Sequence, residues 1–116
     1  MSEAADKLSK HTQIGKSARK HDQGDVDHPY SLGTVVDEVF VVNEDYDPYK
    51  SVVQKIEKAD GSMIYRICYF VVTGKGTVGF GQYSPMLNGH DLCELMKLVI
   101  EKHWLGLETL SAKTSN

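Results

Sequence analysis

The sequence predicts an α+β fold: an antiparallel β-meander of about four strands, one C-terminal helix packed on one face, and a flexible N-terminal tail. Three observations predict it. Residues Met63 to Thr73 are apolar at both sets of alternating positions. Residues from about Gly89 to Leu105 repeat their apolar side chains at helical spacing. The first 31 residues contain few large apolar side chains and many Ser, Lys, His, Asp and Gly. Such a segment buries too little surface to offset its ordering entropy. The boundaries read as a tail over 1–31, a single domain over 32–110 and a frayed end over 111–116.

Leu8 and Ile14 are the only large aliphatics before Val26, which allows the tail no more than a short transient helix. His28-Pro29-Tyr30-Ser31-Leu32-Gly33 reads as the junction. A first strand follows from about Thr34 to Val42, rich in β-branched residues. It stops at an acidic loop, Asn43 to Pro48. A second strand, Tyr49 to Lys58, alternates enough to have a wetter side, with Val53 set against Gln54 and Ile56 against Glu57. Asp60-Gly61 is a hairpin signal, because glycine tolerates the positive φ of a tight turn.

The Met63–Thr73 strand comes next and reads as the central one. One face carries Met63, Tyr65, Ile67, Tyr69 and Val71, and the other carries Ile64, Arg66, Cys68, Phe70 and Val72. A strand wetted on one side would alternate apolar with polar, so both faces call for cover. One helix covers one face, leaving the other to a second subunit, a ligand or the N-terminal segment. After Gly74-Lys75-Gly76 a fourth strand runs from Thr77 to Tyr83, with Gly79 and Gly81 marking a bulge, a bend or a close backbone approach. Asn88 is the expected N-cap of the helix, with Asp91 on the positive end of its dipole. Leu92, Leu95, Met96, Val99, Ile100, His103 and Trp104 share its apolar half, and Gly106 is placed to end it. Leu98 and Leu105 fall among the charges on the other half.

The net charge is −3 over 116 residues, and the tail is balanced by Lys7, Lys10, Lys16, Arg19 and Lys20 against Glu3, Asp6, Asp22, Asp25 and Asp27. The acidic excess therefore lies in the folded part, the opposite of a general binder of nucleic acid or anionic membranes. Cys68 and Cys93 sit at core-facing positions and read as reduced, buried thiols. The sequence shows neither a long apolar run nor a charged-then-apolar leader, so the expected setting is cytoplasmic, with no membrane partner.

Gly74-Lys75-Gly76-Thr77-Val78-Gly79 has the letters of a dinucleotide-binding loop. That motif needs its last glycine to open a helix, and here the glycines lead into a strand, so the stretch reads as a hairpin with Lys75 at its tip. Asn43, Asp45 and Asp47 alternate as calcium ligands do, but Pro48 and Gln54 stand where such a loop needs Gly and Glu. The five histidines (His11, His21, His28, His90, His103) show no metal-ligand spacing, and neither metal nor cofactor is expected. His103 reads as a partner for the negative end of the helix dipole. A Cys93–His90 nucleophilic pair is disfavoured by the apolar position of Cys93.

The candidate binding set is Tyr65, Tyr69, Lys55, Tyr83 and Lys75. Tyr65 and Tyr69 share one face of their strand, and exposed tyrosines on a sheet stack bases while neighbouring lysines track phosphates. Four strands followed by a helix resembles, in architecture alone, the coactivator-type and plant-type single-stranded DNA-binding folds, which dimerise through similar units. Arg66, expected on the helix side, would pair with Glu94, Glu101 or a backbone carbonyl. The leading expectation is a non-catalytic interaction module acting as a homodimer, its working surface the sheet face opposite the helix or the groove between subunits. Binding of single-stranded nucleic acid is the alternative, and a small enzyme with an unassigned site is third.

Overall fold

Five antiparallel strands in the order β1-β2-β3-β4-β5 form a simple meander, in a computed structural model that describes residues 2–19, 31–44, 47–81 and 85–104. The elements are α1 (Glu3–Lys10), β1 (Ser17–Arg19), β2 (Ser31–Asn43), β3 (Tyr49–Glu57), β4 (Met63–Val72), β5 (Val78–Phe80) and α2 (Gly89–Glu101). The α+β class, the meander and the C-terminal helix are as expected. The turns are too: Gly61 at φ 86° closes β3 onto β4, and Gly76 at φ 81° closes β4 onto β5. The Gly-rich stretch is thus a hairpin, held by Thr73 N–H donating to the Thr77 carbonyl.

Residues 2–19 correct the expectation of a flexible tail. Ser2 caps α1 by accepting from Ala5 N–H, and Ala5 and Leu8, one turn apart, are fully buried. Eight residues make a marginal helix in water. Docking supplies the rest, because burying a Leu side chain contributes about 1.5–3 kcal/mol. Leu8 packs with Val52, Cys68 and Phe70 of β3 and β4. The segment then adds β1 to the edge of β2, where Ala18 joins Val35 and Ile56 in a small core of its own. Residues 20–30, including the first half of the expected junction, lie outside the described residues.

The strand at the centre is β3, not Met63–Val72. Despite its alternating sequence β3 is buried on both faces, with Lys50, Ser51 and Gln54 each at most 1% exposed. The reason is the placement of the helices. α1 lies on one sheet face over β2, β3 and β4, while α2 lies on the other, chiefly over β2 and in part over β3. The two coverings overlap on β3. β4 is apolar on both sides yet covered on one, and Ile67 is 59% exposed.

The sheet faces are also assigned the other way round from the sequence expectation. α2 shares the Tyr65–Ile67–Tyr69 side, with Leu95 and Val99 packed on Val39 and Val53. Arg66, Cys68 and Phe70 face α1 instead. Arg66 bonds the Gln54 side chain rather than a helix carboxylate. Cys93 is exposed on α2 while Cys68 is buried on the opposite face, so both are free thiols. The N-cap at Asn88 is as expected, accepting from Asp91 N–H at 2.8 Å. The helix ends earlier than Gly106 predicts, with His103 itself in the left-handed region at φ 60° and its N–H on the Ile100 carbonyl.

Candidate functional site

Two surfaces concentrate chemistry, one on each side of the sheet. On the α1 side, Lys50 projects from the middle of β3 into a nearly dry layer. Its ammonium donates to the backbone carbonyl of His11, lies 4.0 Å from a Glu38 carboxylate oxygen and sits 4.2 Å from the centroid of the Phe40 ring. Glu38, 5% exposed in its side chain, also accepts from Thr12 Oγ1 and Gln13 N–H, and it lies 3.5 Å from Gln54 Nε2. Gln54 Oε1 in turn accepts from Arg66 Nε and Nη2, at 3.1 and 2.7 Å. The network ties three strands to residues 11–13 just after α1.

Burial lowers the Lys50 pKa from 10.5, and the neighbouring Glu38 carboxylate works against that drop. His11 is lowered from 6.5, first by burial and then by the ammonium groups of Lys50 and Lys16, with Glu38 opposing. Gln13 Nε2 meets His11 Nε2 at 2.8 Å. An amide nitrogen only donates, so this contact is made by the neutral imidazole accepting at Nε2, the form that the lowered pKa favours. Burial pushes the Cys68 thiol up to about 11, which leaves it protonated and a poor nucleophile.

On the α2 side, six large apolar side chains stand in water. They are Met63 (38% exposed), Tyr65 (37%) and Ile67 (59%) on β4, with Leu92 (47%), Met96 (53%) and Ile100 (45%) on α2. The orientation of α2 explains the stripe. Asp91 accepts from Asn43 Nδ2 and Lys102 pairs with Asp37 at 3.2 Å, so that flank of the helix is pinned to β2. Leu92, Met96 and Ile100, at i, i+4 and i+8, lie on the opposite flank, the side on which β4 follows β3 in the sheet. Only part of the predicted apolar half is buried, while Leu98, expected among charges, joins the core beside Leu95. The result is a step with a floor from β4 and a wall from α2.

Three of the five expected binding residues, Tyr65, Tyr69 and Lys55, lie on this side. Tyr65 donates its hydroxyl to the Trp104 carbonyl and tilts its ring against the indole, centroids 6.0 Å apart. Tyr69 meets Tyr49 edge-on at 6.5 Å, and its ring crosses Gly81, where a Cβ would come within 2.2 Å of the ring. Lys55 lies opposite Tyr65 in the β3–β4 register. Lys75 sits in the β4–β5 turn at the other end of β4 and does not join them. Tyr83 lies outside the described residues. In the acidic loop, Asn43 is committed to Asp91 and Glu44 accepts from Ser2 N–H, while Asp45 lies outside the described residues. No group of three or more potential metal ligands occurs among the described residues.

Sequence reasoning missed Lys50, Glu38, His11 and Gln54. The period of two in β3 does place Lys50, Val52, Gln54 and Ile56 on one face. What hides the site is that its lid comes from residues 2–13, whose pattern of Ser2, Ala5 and Leu8 is too short to stand out. No helix among the described residues is long and apolar enough to cross a membrane. No protein-family model, curated protein or solved structure matches the chain.

Proposed function

We propose that this protein is a small interaction module that works as a homodimer, paired through the step between α2 and β4. The observation that carries this is the run of six half-exposed apolar side chains on one side of a chain whose mean hydropathy is −0.35. Contiguous apolar surface beyond a few hundred Å² is rare on monomers and marks interaction sites. These six side chains leave on the order of 500 Å² in water. With their rim they approach the roughly 800 Å² that each partner contributes to a standard interface.

A second copy is the occupant that fits the rim. Lys55 and Glu57 stand opposite Tyr65 and Met63 in the β3–β4 register, and Lys97 and Glu101 follow Met96 and Ile100 on α2, so the neighbours of the apolar residues carry both signs. A two-fold contact sets this patch against itself, and a mixed-sign rim is self-complementary where a single-sign rim would repel. The three small cores of the fold also gain from added burial. Tyr65 belongs to the patch with its ring against Trp104, an arrangement that favours packing over base stacking.

Light scattering of the full chain during size-exclusion chromatography tests the proposal. The expected mass is twice 12.9 kDa, returning to 12.9 kDa in Ile67→Glu and in Met96→Glu with the circular dichroism spectrum kept. A wild-type monomer at about 100 µM rejects it, because an interface of this size holds with a Kd well below that.

A further inference from the structure

β4 is much longer than the strand on its outer side. β5 pairs with Phe70, Val71 and Val72, and Gly81 N–H then bonds the Tyr69 carbonyl. Among the described residues nothing pairs with the outer edge of β4 from Met63 to Ile67. The direction of that backbone follows from its neighbours. The Tyr69 carbonyl and the Thr73 N–H both turn toward the β5 side, and the β3–β4 register is unbroken from Met63 to Val71. Residues two apart in a strand point their backbone groups the same way. Met63, Tyr65 and Ile67 therefore aim N–H and C=O outward, while Ile64 and Arg66 bond β3.

We infer that this edge pairs antiparallel with the same edge of a second copy, about a two-fold axis at Tyr65, so that two five-stranded sheets become one. The inference rests on the dimer reading above and gives it a geometry. An axis at Tyr65 sets Tyr65 opposite the partner's Tyr65 and Met63 opposite the partner's Ile67, so all three outward residues exchange both their bonds. On the other face it sets Arg66 opposite the partner's Ile64, whereas an axis at Arg66 would oppose two guanidinium groups. The side chains of the same three outward residues are the exposed floor of the step. Pairing joins two such floors into one apolar strip, walled by Leu92, Met96 and Ile100 of each α2. An open edge on a monomer is blunted by charge, proline or a bulge. Met63–Ile67 has one charge, Arg66, no proline, and an unbroken register. Among the described residues β2 also runs past β1 without a strand beside it. That stretch opens at a bulge with Asp37 and Glu38, and Lys102 sits on Asp37.

The test is amide hydrogen exchange followed by NMR on the full chain, wild type against Met96→Glu, with the mass of each sample measured by light scattering. In the wild-type dimer the amides of Met63, Tyr65 and Ile67 should exchange as slowly as those of Ile64 and Arg66. In the monomeric Met96→Glu variant, whose substitution lies on α2 and not on the edge, the three should exchange at least tenfold faster, about the least that opening an unpaired edge gives. Ile64 and Arg66 should keep their protection there. A wild-type dimer in which the three amides exchange fast overturns the edge pairing and leaves the dimer standing. A wild-type monomer overturns both. Slow exchange of the three in the monomeric variant also overturns the pairing, because a segment of the same chain then covers the edge.

Discussion

Leu8→Ala tests whether the N-terminal segment belongs to the folded core. Leu8 is fully buried against Val52, Cys68 and Phe70, and truncation removes its isobutyl branching from that contact. Leu→Ala changes in cores cost about 2–5 kcal/mol, the spread reflecting how far the site collapses. Here the low end applies. α1 is a short element on a tether, and undocking sets an upper limit on what a cavity beneath it can cost. About 2 kcal/mol is therefore expected, by urea unfolding followed by circular dichroism. The same loss should speed hydrogen exchange at the amides of Asp6 and His11, which close α1 on the Ser2 and Lys7 carbonyls, by roughly 30-fold. Ile14→Ala is the control: it lies in the same segment but is 47% exposed, and it should change stability by less than about 0.5 kcal/mol. If Leu8→Ala and Ile14→Ala behaved alike, the docked helix would be refuted.

Lys50→Met leaves the Glu38 carboxylate buried without its cation and should cost about 3 kcal/mol or more; adding Glu38→Gln should recover much of the loss in a double-mutant cycle. Gly33 sits at φ 140°, where a Cβ would lie 2.2 Å from the Glu57 carbonyl oxygen, so Gly33→Ala should destabilise by more than about 2 kcal/mol, against about 1 kcal/mol for Gly61→Ala, whose Cβ meets open space. The folded chain protonates His11 below 6.5, so between that pH and the lowered folded value the unfolded chain holds more protons. Stability should therefore fall as pH drops below about 6.5 and be fully regained above it, and thermal melts of His11→Gln should lose that part of the slope.

The meander, its turns and the Asn88 cap are legible because each depends on neighbours in sequence: Asp60-Gly61 needs nothing distant to be a turn. The two faces were harder. Val39, Val53, Leu95 and Val99 form one core, but nothing local says whether α2 settles over β2 and β3 or over β4. The sequence makes β4 the most apolar strand, and apolarity on both faces points to a central position. Burial instead follows where two helices overlap, and that falls on β3, with its Lys50 and Gln54. The pairings that decide this, Asn43 with Asp91 and Asp37 with Lys102, join residues 48 and 65 positions apart. The buried polar network was illegible for the same reason, since Lys50 becomes a dry ammonium only when His11, 39 positions earlier, closes over it.

The lid over Lys50 also imposes an order on biosynthesis. α1 is made before the strands, yet its neighbours Val52, Cys68 and Phe70 come much later, and its seat is not complete until β4 has been translated and paired with β3. Until then the β3 ammonium stays hydrated, and the hairpins, built from near neighbours, assemble around it. Stripping water from that charge thus belongs to a late stage of folding, when a segment made before the strands returns to β3 and β4. A nascent chain held before β4 has emerged would carry α1 with no seat, which makes protease access to residues 2–19 on stalled ribosomes a readout of when the sheet closes.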